Sequence, residues 1–569
     1  MARRHDPATA APAPPSVHGR LHEAIFVFVL SLAQFLSLAA MNQTVAPLMI
    51  LCEFFDIHDY GNLSWFSAAY SMTAGTFILP AGRLGDIYGH KRVFMVGWAW
   101  FAIWSCISGF CGRDQLILFS TCRAFQGVGP ALVIPNAIAI IGRTFPVGLK
   151  RNIAFACFGA SGPTGAALGA VMAALVAETI SWRWCFWLLA ITCAFLVPIS
   201  YFAVPDPEAV VLPRGDGMGL ECEEASGFDW PGAVTGVVGL VLVNFALNQA
   251  PLAGWNAPYI SILLLVGIAF VIAFVWIELR IATQPIVPIR GLQRSAVFSL
   301  ACVFVGWSSH GIWVYYLYLL LEHLRGHSAL LTSAEMSPVA VTGILFAFLT
   351  VWLTRRVPVS WIMLAAMFFF LLGSLLIAIA PLEQTYWANT FVAILLMPGA
   401  MNLSFPAATI LLSSALPKEK QGIAASLVAT VINYSISCGL GFAGSLHKNV
   451  LIHAAQAEGM DGPPPALSVS SPQLVAIRLA GLRAACWFAV ALGALGMLVA
   501  GLFILVQSAE ASTKANQQRG GSLNITYGER PSTGWTTIMS PKAGKDEVMT
   551  TFYLGDKMIR IRETQQSSV

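Results

Sequence analysis

Long apolar runs recur along nearly all of this 569-residue chain, and no other feature constrains its fold as tightly. A helix needs roughly 20 apolar residues to cross a bilayer. Fourteen runs of about that length stand near residues 24–52, 64–81, 93–111, 115–141, 152–177, 184–204, 231–250, 257–279, 295–321, 331–354, 359–380, 387–415, 421–445 and 482–507. Composition agrees: 57% of the residues are hydrophobic and 11% charged, against about 25% charged in a soluble domain. The fold class expected is an all-α polytopic membrane protein of fourteen spans, numbered 1 to 14 in chain order.

Charge placement tests the count. With residues 1–22 as a disordered cytoplasmic tail, the short inward loops hold fourteen Lys and Arg and the outward loops six. That is the positive-inside bias, with both termini cytoplasmic. Of the remaining basic residues only Arg123 must lie within the membrane; the others belong to the tails. The net charge of +4 follows the membrane and implies no nucleic acid. Met1–Pro15 is an Ala/Pro-rich stretch without the short apolar core of a cleavable signal. The eleven cysteines are scattered with no C-x-x-C pair, so they read as packing residues, and no metal site is expected.

An acidic, Gly/Pro-punctuated connector at 205–230 separates six spans (23–204) from eight (231–280 and 281–507). Residues 446–481 read as a long outward loop around Gly462-Pro463-Pro464-Pro465, and the tail at 508–569 as largely disordered. Of the Asn-x-Ser/Thr sites at Asn42, Asn62, Asn402, Asn433 and Asn524, only Asn62 faces outward, close against span 2.

Between spans 2 and 3 lies Gly82-Arg83-Leu84-Gly85-Asp86-Ile87-Tyr88-Gly89-His90-Lys91-Arg92. Gly82 and Gly89 permit a sharp turn. Asp86 can pair with an arginine or cap a helix N-terminus, and Arg143, at the inner end of span 4, is the expected partner. Span 4 carries Arg123-Ala124-Phe125-Gln126-Gly127. A lone intramembrane arginine costs roughly 2.5–3.5 kcal/mol on insertion scales and so faces a partner or a polar cavity. In span 5, Gly162, Pro163, Gly165 and Gly169 form a small-residue stripe suited to close helix packing. Span 9 holds His310, flanked by Trp307, Ser309 and Trp313; a mid-membrane histidine is a functional candidate by default. Pro398 and Pro406 flank Asn402 in span 12 and suggest a broken helix. With Gln34, Asn42, Gln43, Asn136 and Asn433, the inferred cavity is rich in amides and poor in fixed charge. No carboxylate falls near a span centre; Glu53, Glu322 and Glu335 sit near outer ends.

The 82–92 loop resembles G-x-L-x-D-x-x-G-[RK]-[RK], and the Arg123 segment resembles R-x-x-Q-G. Together with Trp182-Arg183-Trp184 and Phe228-Asp229-Trp230 they resemble the fungal fourteen-span drug:proton antiporter branch of the major facilitator superfamily, near the aminotriazole-resistance and low-affinity ammonium transporter-like proteins. The resemblance implies two six-helix bundles, 23–204 and 281–507, with residues 231–280 as an inserted helix pair. Spans 1, 4, 9 and 12 would line a central cavity. Gly82, Asp86, Gly89, Lys91, Arg92 and Arg143 would form an inner conformational latch, and Arg123 with Gln126 would help control proton movement. The span-5 stripe looks like the exporter motif G-x-x-x-G-P-x-x-G-G, with Ala166 where the proline belongs. Asn42 stands where the branch usually has an aspartate, so proton coupling falls to His310 or the outer carboxylates.

The function implied is export of small organic molecules by alternating access, driven by protons. The alternative is transport of a small polar solute such as ammonium or borate. The expected partners are a small-molecule substrate, protons and the bilayer, for a monomer in the cell membrane or the vacuole. No cofactor is expected, and G-x-x-x-x-G-K-[ST] is absent. An enzyme needs two converging reactive groups, and His310 has no intramembrane carboxylate beside it in sequence. A sensor would carry a folded signalling domain, of which the tail gives no periodic sign.

Overall fold

Pro47 ends the first apolar run before the end of the span expected there. It has no N–H and disfavours helical geometry in the residue before it. The run is therefore two helices, α1 (Arg20–Asn42) and α2 (Leu48–Phe54), not one span over 24–52. The run expected at 331–354 divides likewise into α11 (Ala329–Met336) and α12 (Pro338–Leu353), Pro338 taking the first helical position. The computed structural model describes residues 19–57, 60–146, 148–205, 228–283, 285–287, 289–414, 421–460 and 471–521, with three later strands. Residues 1–18, most of the 205–230 connector, the 462–465 proline run and Asn524 lie outside the described residues.

Twelve of the described helices are long and apolar enough to cross a membrane. Spans 2 and 3, which are α3 (Tyr60–Tyr88) and α4 (His90–Gly109), are not among the twelve. Residue content accounts for this. α3 buries Ser64, Ser67, Ser71, Thr73 and Thr76, and α4 opens on His90-Lys91-Arg92. Both still pack inside the first bundle, where α5 (Leu116–Thr144) lies against α3 and α4, α7 (Trp182–Ala203) against α4, and α6 (Leu149–Thr179) against α1. Phe26, Leu30, Trp98, Phe101, Val133 and Ile140 share its core. Lipid tails are as apolar as leucine, so helix association here rests on close packing rather than on burial from water. Gly165 and Gly169 show how close: a Cβ on either would run into α1 at Phe35 and Ala39.

The second bundle is α10 (Arg294–Tyr318) continuing into a π-turn (Leu319–Leu324), α11, α12, α13 (Val359–Ala378), α14 (Asn389–Ser414), α15 (Gln421–Ala457) and α16 (Pro472–Gly521). α14 runs unbroken through Pro398 and Pro406, contrary to the broken helix expected. Pro406 cannot donate to the carbonyl of Asn402 four residues earlier. The Thr350 hydroxyl of α12 stands in that place, 3.1 Å from the Asn402 carbonyl, with its proton shared with the Phe346 carbonyl at 2.7 Å on its own helix. α15 reaches Ala457 and α16 begins at Pro472, so helix occupies both ends of the expected 446–481 loop.

The bundles meet along two seams, α3 with α15 and α6 with α11 and α12. The pair α8 (Trp230–Ala253) and α9 (Pro258–Arg280) packs together, with α8 against α3 and α15. Tyr434 Oη donates to the Leu240 carbonyl at 3.1 Å and Asn248 Nδ2 to Ser437 Oγ at 3.2 Å, while Ser437 Oγ donates to the Ala68 carbonyl at 2.9 Å.

Residues 501–569 form a separate unit. Helix continues there to Gly521, past the expected boundary at 507. β1 (Thr526–Gly528), β2 (Glu547–Leu554) and β3 (Lys557–Thr564) form an antiparallel sheet ordered β1-β3-β2, with Tyr527 and Phe552 both paired to Ile559. These strands lie within the 508–569 tail that the sequence reads as largely disordered. Ile559-Arg560-Ile561-Arg562 alternates apolar and charged residues with the period of a strand.

Candidate functional site

A cavity of about 420 Å³ lies between the bundles. Its wall comes from α1, α3, α5 and α6 on one side and from α10, α11, α12, α14 and α15 on the other. No Asp, Glu, Lys or Arg is among its lining residues. Gln34, Asn42, Trp307, His310, Trp313, Asn402 and Asn433 all line it. The His310 ring stacks on Trp313 with centroids 6.0 Å apart and meets Trp307 edge-on at 5.3 Å. His310 Nδ1 is shut in without a hydrogen-bond partner.

Three residues expected in the cavity lie elsewhere. Gln43 is buried and donates to the Cys185 carbonyl at 2.8 Å. Ser309 bonds Ser374 at 2.9 Å and the Ala489 carbonyl at 2.8 Å. Asn136 sits beneath the 82–92 segment, its Oδ1 2.7 Å from His90 Nδ1. Helical position alone does not say which side of a bundle a polar residue faces, and each of these found a partner on a neighbouring helix.

Arg123 is fully buried one layer behind the wall. It donates to the Phe66 carbonyl at 3.1 Å and to Gln126 Oε1, and Gln126 passes a donor to Ser105 at 2.7 Å. Its guanidinium lies 4.6 Å from the ring centre of Tyr70, a residue that faces the cavity. Charge-assisted hydrogen bonds contribute about 1.5–3 kcal/mol each and a desolvated cation–π contact about 2. These offset the insertion cost, and Arg123 Nη2 still has no partner. The sequence singled out Arg123 and missed Tyr70, which looks like any aromatic of an apolar run.

At the end of α3, Asp86 lies among two arginines and an imidazole. Arg143 lies 2.9 Å away, His90 3.3 Å and Arg83 3.9 Å. Burial raises the Asp86 pKa, but the hydrogen bond and charge of His90 and the charges of Arg143 and Arg83 outweigh it, and the net shift is downward. The Asp86–Arg143 pair is within one bundle, not between bundles. Gly82 faces Ser426 of α15, Gly89 turns the chain at φ +95°, Lys91 lies over the Tyr201 ring at 5.1 Å, and Arg92 is exposed. A Cβ at Gly85 would collide with both His90 and Asn136.

The opposite end is closed by different chemistry. Met49 N–H donates to Glu322 Oε2 at 3.1 Å and Leu330 N–H to Glu178 Oε1 at 2.7 Å, each joining one bundle to the other. Glu335 is 3.0 Å from His327, and Glu53 is exposed. The cavity lining continues toward the Asp86 end, to Phe155 on α6 and Thr354 at the end of α12. Pro163 packs where a Cβ on Gly343 of α12 would stand, whereas Gly162 faces Gln34 and Leu38 of α1. Asn62 is partly buried in the first turn of α3.

Comparison with known proteins fits this geometry. The family model described as Major Facilitator Superfamily matches residues 27–441. A Low affinity ammonium transporter of Saccharomyces cerevisiae is 48% identical over 76% of this chain and 82% of its own. Efflux pump terJ of Aspergillus terreus is 40% identical over 77% and 83%. The Aminotriazole resistance protein of Saccharomyces cerevisiae is 32% identical over 85% and 84%. Among solved structures, a bacterial homolog of the human lysosomal transporter Spinster, inward-facing and unoccupied, aligns with TM-score 0.56 at 14% identity, covering 85% of this chain and 98% of that one.

Proposed function

From the premise that this chain belongs to the major facilitator superfamily, we propose that it exports small organic molecules by alternating access, coupled to protons. The observation that carries the reading is the cavity: about 420 Å³, walled mostly by apolar side chains with aromatics and a few amides among them, and without Asp, Glu, Lys or Arg in its lining. Organic ligands occupy pockets of roughly 300–1,000 Å³, whereas a water-sized solute takes ~30 Å³. On the positive-inside placement, the Asp86 end is cytoplasmic, both termini lie inside, and this state faces inward. Gly82, Asp86, Gly89, Lys91, Arg92 and Arg143 then act as the inner latch, and His310 is the coupling candidate in the wall, with Arg123 and Gln126 behind it. The protein works as a monomer in the cell membrane.

The second reading, transport of ammonium or borate, is favoured by the 48% identity to a protein named for ammonium transport. Proteoliposomes with an internal pH dye separate the two. An organic panel including aminotriazole, with ammonium and borate beside it, is run on wild type and His310→Ala. Proton movement tied to an organic substrate and lost in the variant is expected. Ammonium or borate flux with no organic substrate would replace this reading with the second.

A further inference from the structure

The cavity wall has used up most of its own hydrogen-bond donors. Asn42 Nδ2 donates to the Leu38 carbonyl at 3.3 Å and the Ala166 carbonyl at 3.2 Å. Asn402 Nδ2 donates to Pro398 O at 2.9 Å and Asn433 Nδ2 to Ala429 O at 2.9 Å, each one turn back on its own helix. These bonds fix the amides' orientation, because only the NH₂ side can face a carbonyl. The three amide oxygens are left without a protein partner and are not shut in.

The hydroxyls and the indole repeat the pattern. Tyr70 Oη donates to Ser37 O at 2.8 Å, the one Thr350 Oγ1 proton is shared between Phe346 O at 2.7 Å and Asn402 O at 3.1 Å, and Trp307 Nε1 donates to Ser404 Oγ at 3.1 Å. Trp313 Nε1 has no partner but is sealed from the cavity. The donors still available are the Gln34 amide, the Tyr318 hydroxyl, one N–H each on Asn402 and Asn433, and His310 Nε2 in one of its two tautomers. Asn42, with both amide protons taken, offers only its oxygen.

We propose that the substrate is an aromatic molecule whose polar groups are hydrogen-bond donors, amino or hydroxyl, neutral or singly protonated. Its ring lies among Trp307, Trp313 and Tyr70, and its N–H or O–H groups meet the oxygens of Asn42, Asn402 and Asn433. A molecule carrying only acceptors can pair with the few remaining donors but leaves the oxygens of Asn42, Asn402 and Asn433 desolvated and unpaired. A carboxylate also finds no cation on the wall. This inference rests on the cavity being the transported molecule's site, and it narrows the class of molecule that fits.

The test is binding to the purified full-length protein, read by tryptophan fluorescence and by thermal shift. It uses pairs that share a ring but differ in donors: catechol with 1,2-dimethoxybenzene, and 3-aminophenol with its fully methylated analogue. Donor-bearing members are expected to bind about tenfold more tightly than their capped partners. Asn42→Leu and Asn402→Leu, similar in volume, are each expected to shrink that ratio severalfold while leaving the capped partner's binding unchanged. Equal binding within pairs, preference for the capped member, or a ratio unmoved in both variants would overturn the inference. Since binding is read without flux, those results leave the export reading standing. A donor preference that holds while no organic substrate is transported would overturn export alone.

Discussion

Two carboxylates, Asp86 and Glu322, hold opposite ends of the molecule in opposite ways. Asp86 has Arg143, His90 and Arg83 around it, all belonging to its own bundle. Glu322, only 6% exposed in the π-turn that ends α10, has no cation partner among the described residues and reaches across to the other bundle for one backbone N–H. Ionic attachment thus stays within a bundle, where nothing needs to part. Attachment between bundles uses isolated hydrogen bonds, Met49 to Glu322, Leu330 to Glu178 and Ser437 to Ala68, each worth roughly 0.5–1.5 kcal/mol net, together with close helix packing. On the alternating-access reading proposed above, joints of the second kind suit the ends that open.

The sharpest way to break the contrast is to spoil packing inside a bundle. Gly169→Leu pushes into the α1 backbone at Ala39 and is expected to abolish a monodisperse folded species in size-exclusion chromatography. Arg123→Ala comes next. It leaves Gln126 and the Phe66 carbonyl unpaired, and a loss of about 3 kcal/mol is expected, read as a lower thermal midpoint that Arg123→Lys partly restores. Glu322→Ala should touch only the far end. Hydrogen exchange at the Met49 amide is expected to rise about fivefold, consistent with ~1 kcal/mol, with the 82–92 segment unchanged. If exchange rises at both ends, the two closures are not separate. The smallest effect is expected from Thr350→Val, which strands the Asn402 carbonyl on α14. That helix should kink or lose local protection near Pro406 by under about 1 kcal/mol.

Much of this was legible in the sequence for local reasons. Apolar runs and the basic loops placed the helices, and the charges near the ends of spans 2 and 4 suggested the Asp86–Arg143 pair that stands at 2.9 Å. What stayed hidden depends on partners distant in sequence. Asn136 looks like Asn402 in a helical run, yet one meets His90 and the other lines the cavity. The prolines of α14 promised a break, and Thr350 on another helix averted it. His90 was in view within the loop string, but its contact with Asn136 depends on the room left by Gly85.

Two asparagines of α8, Asn244 and Asn248, hydrogen-bond to one residue of the α3–α15 seam. Ser437 receives a donor from Asn248, and its one proton is shared between Asn244 Oδ1 at 2.6 Å and the Ala68 carbonyl at 2.9 Å, so three helices meet at a single hydroxyl. A point held from three sides behaves as a fulcrum. Rigid rocking of one bundle on the other would leave it nearly still, and displacement would grow with distance along the levers on either side. The ends farthest from Ser437 would then travel most for the least rotation.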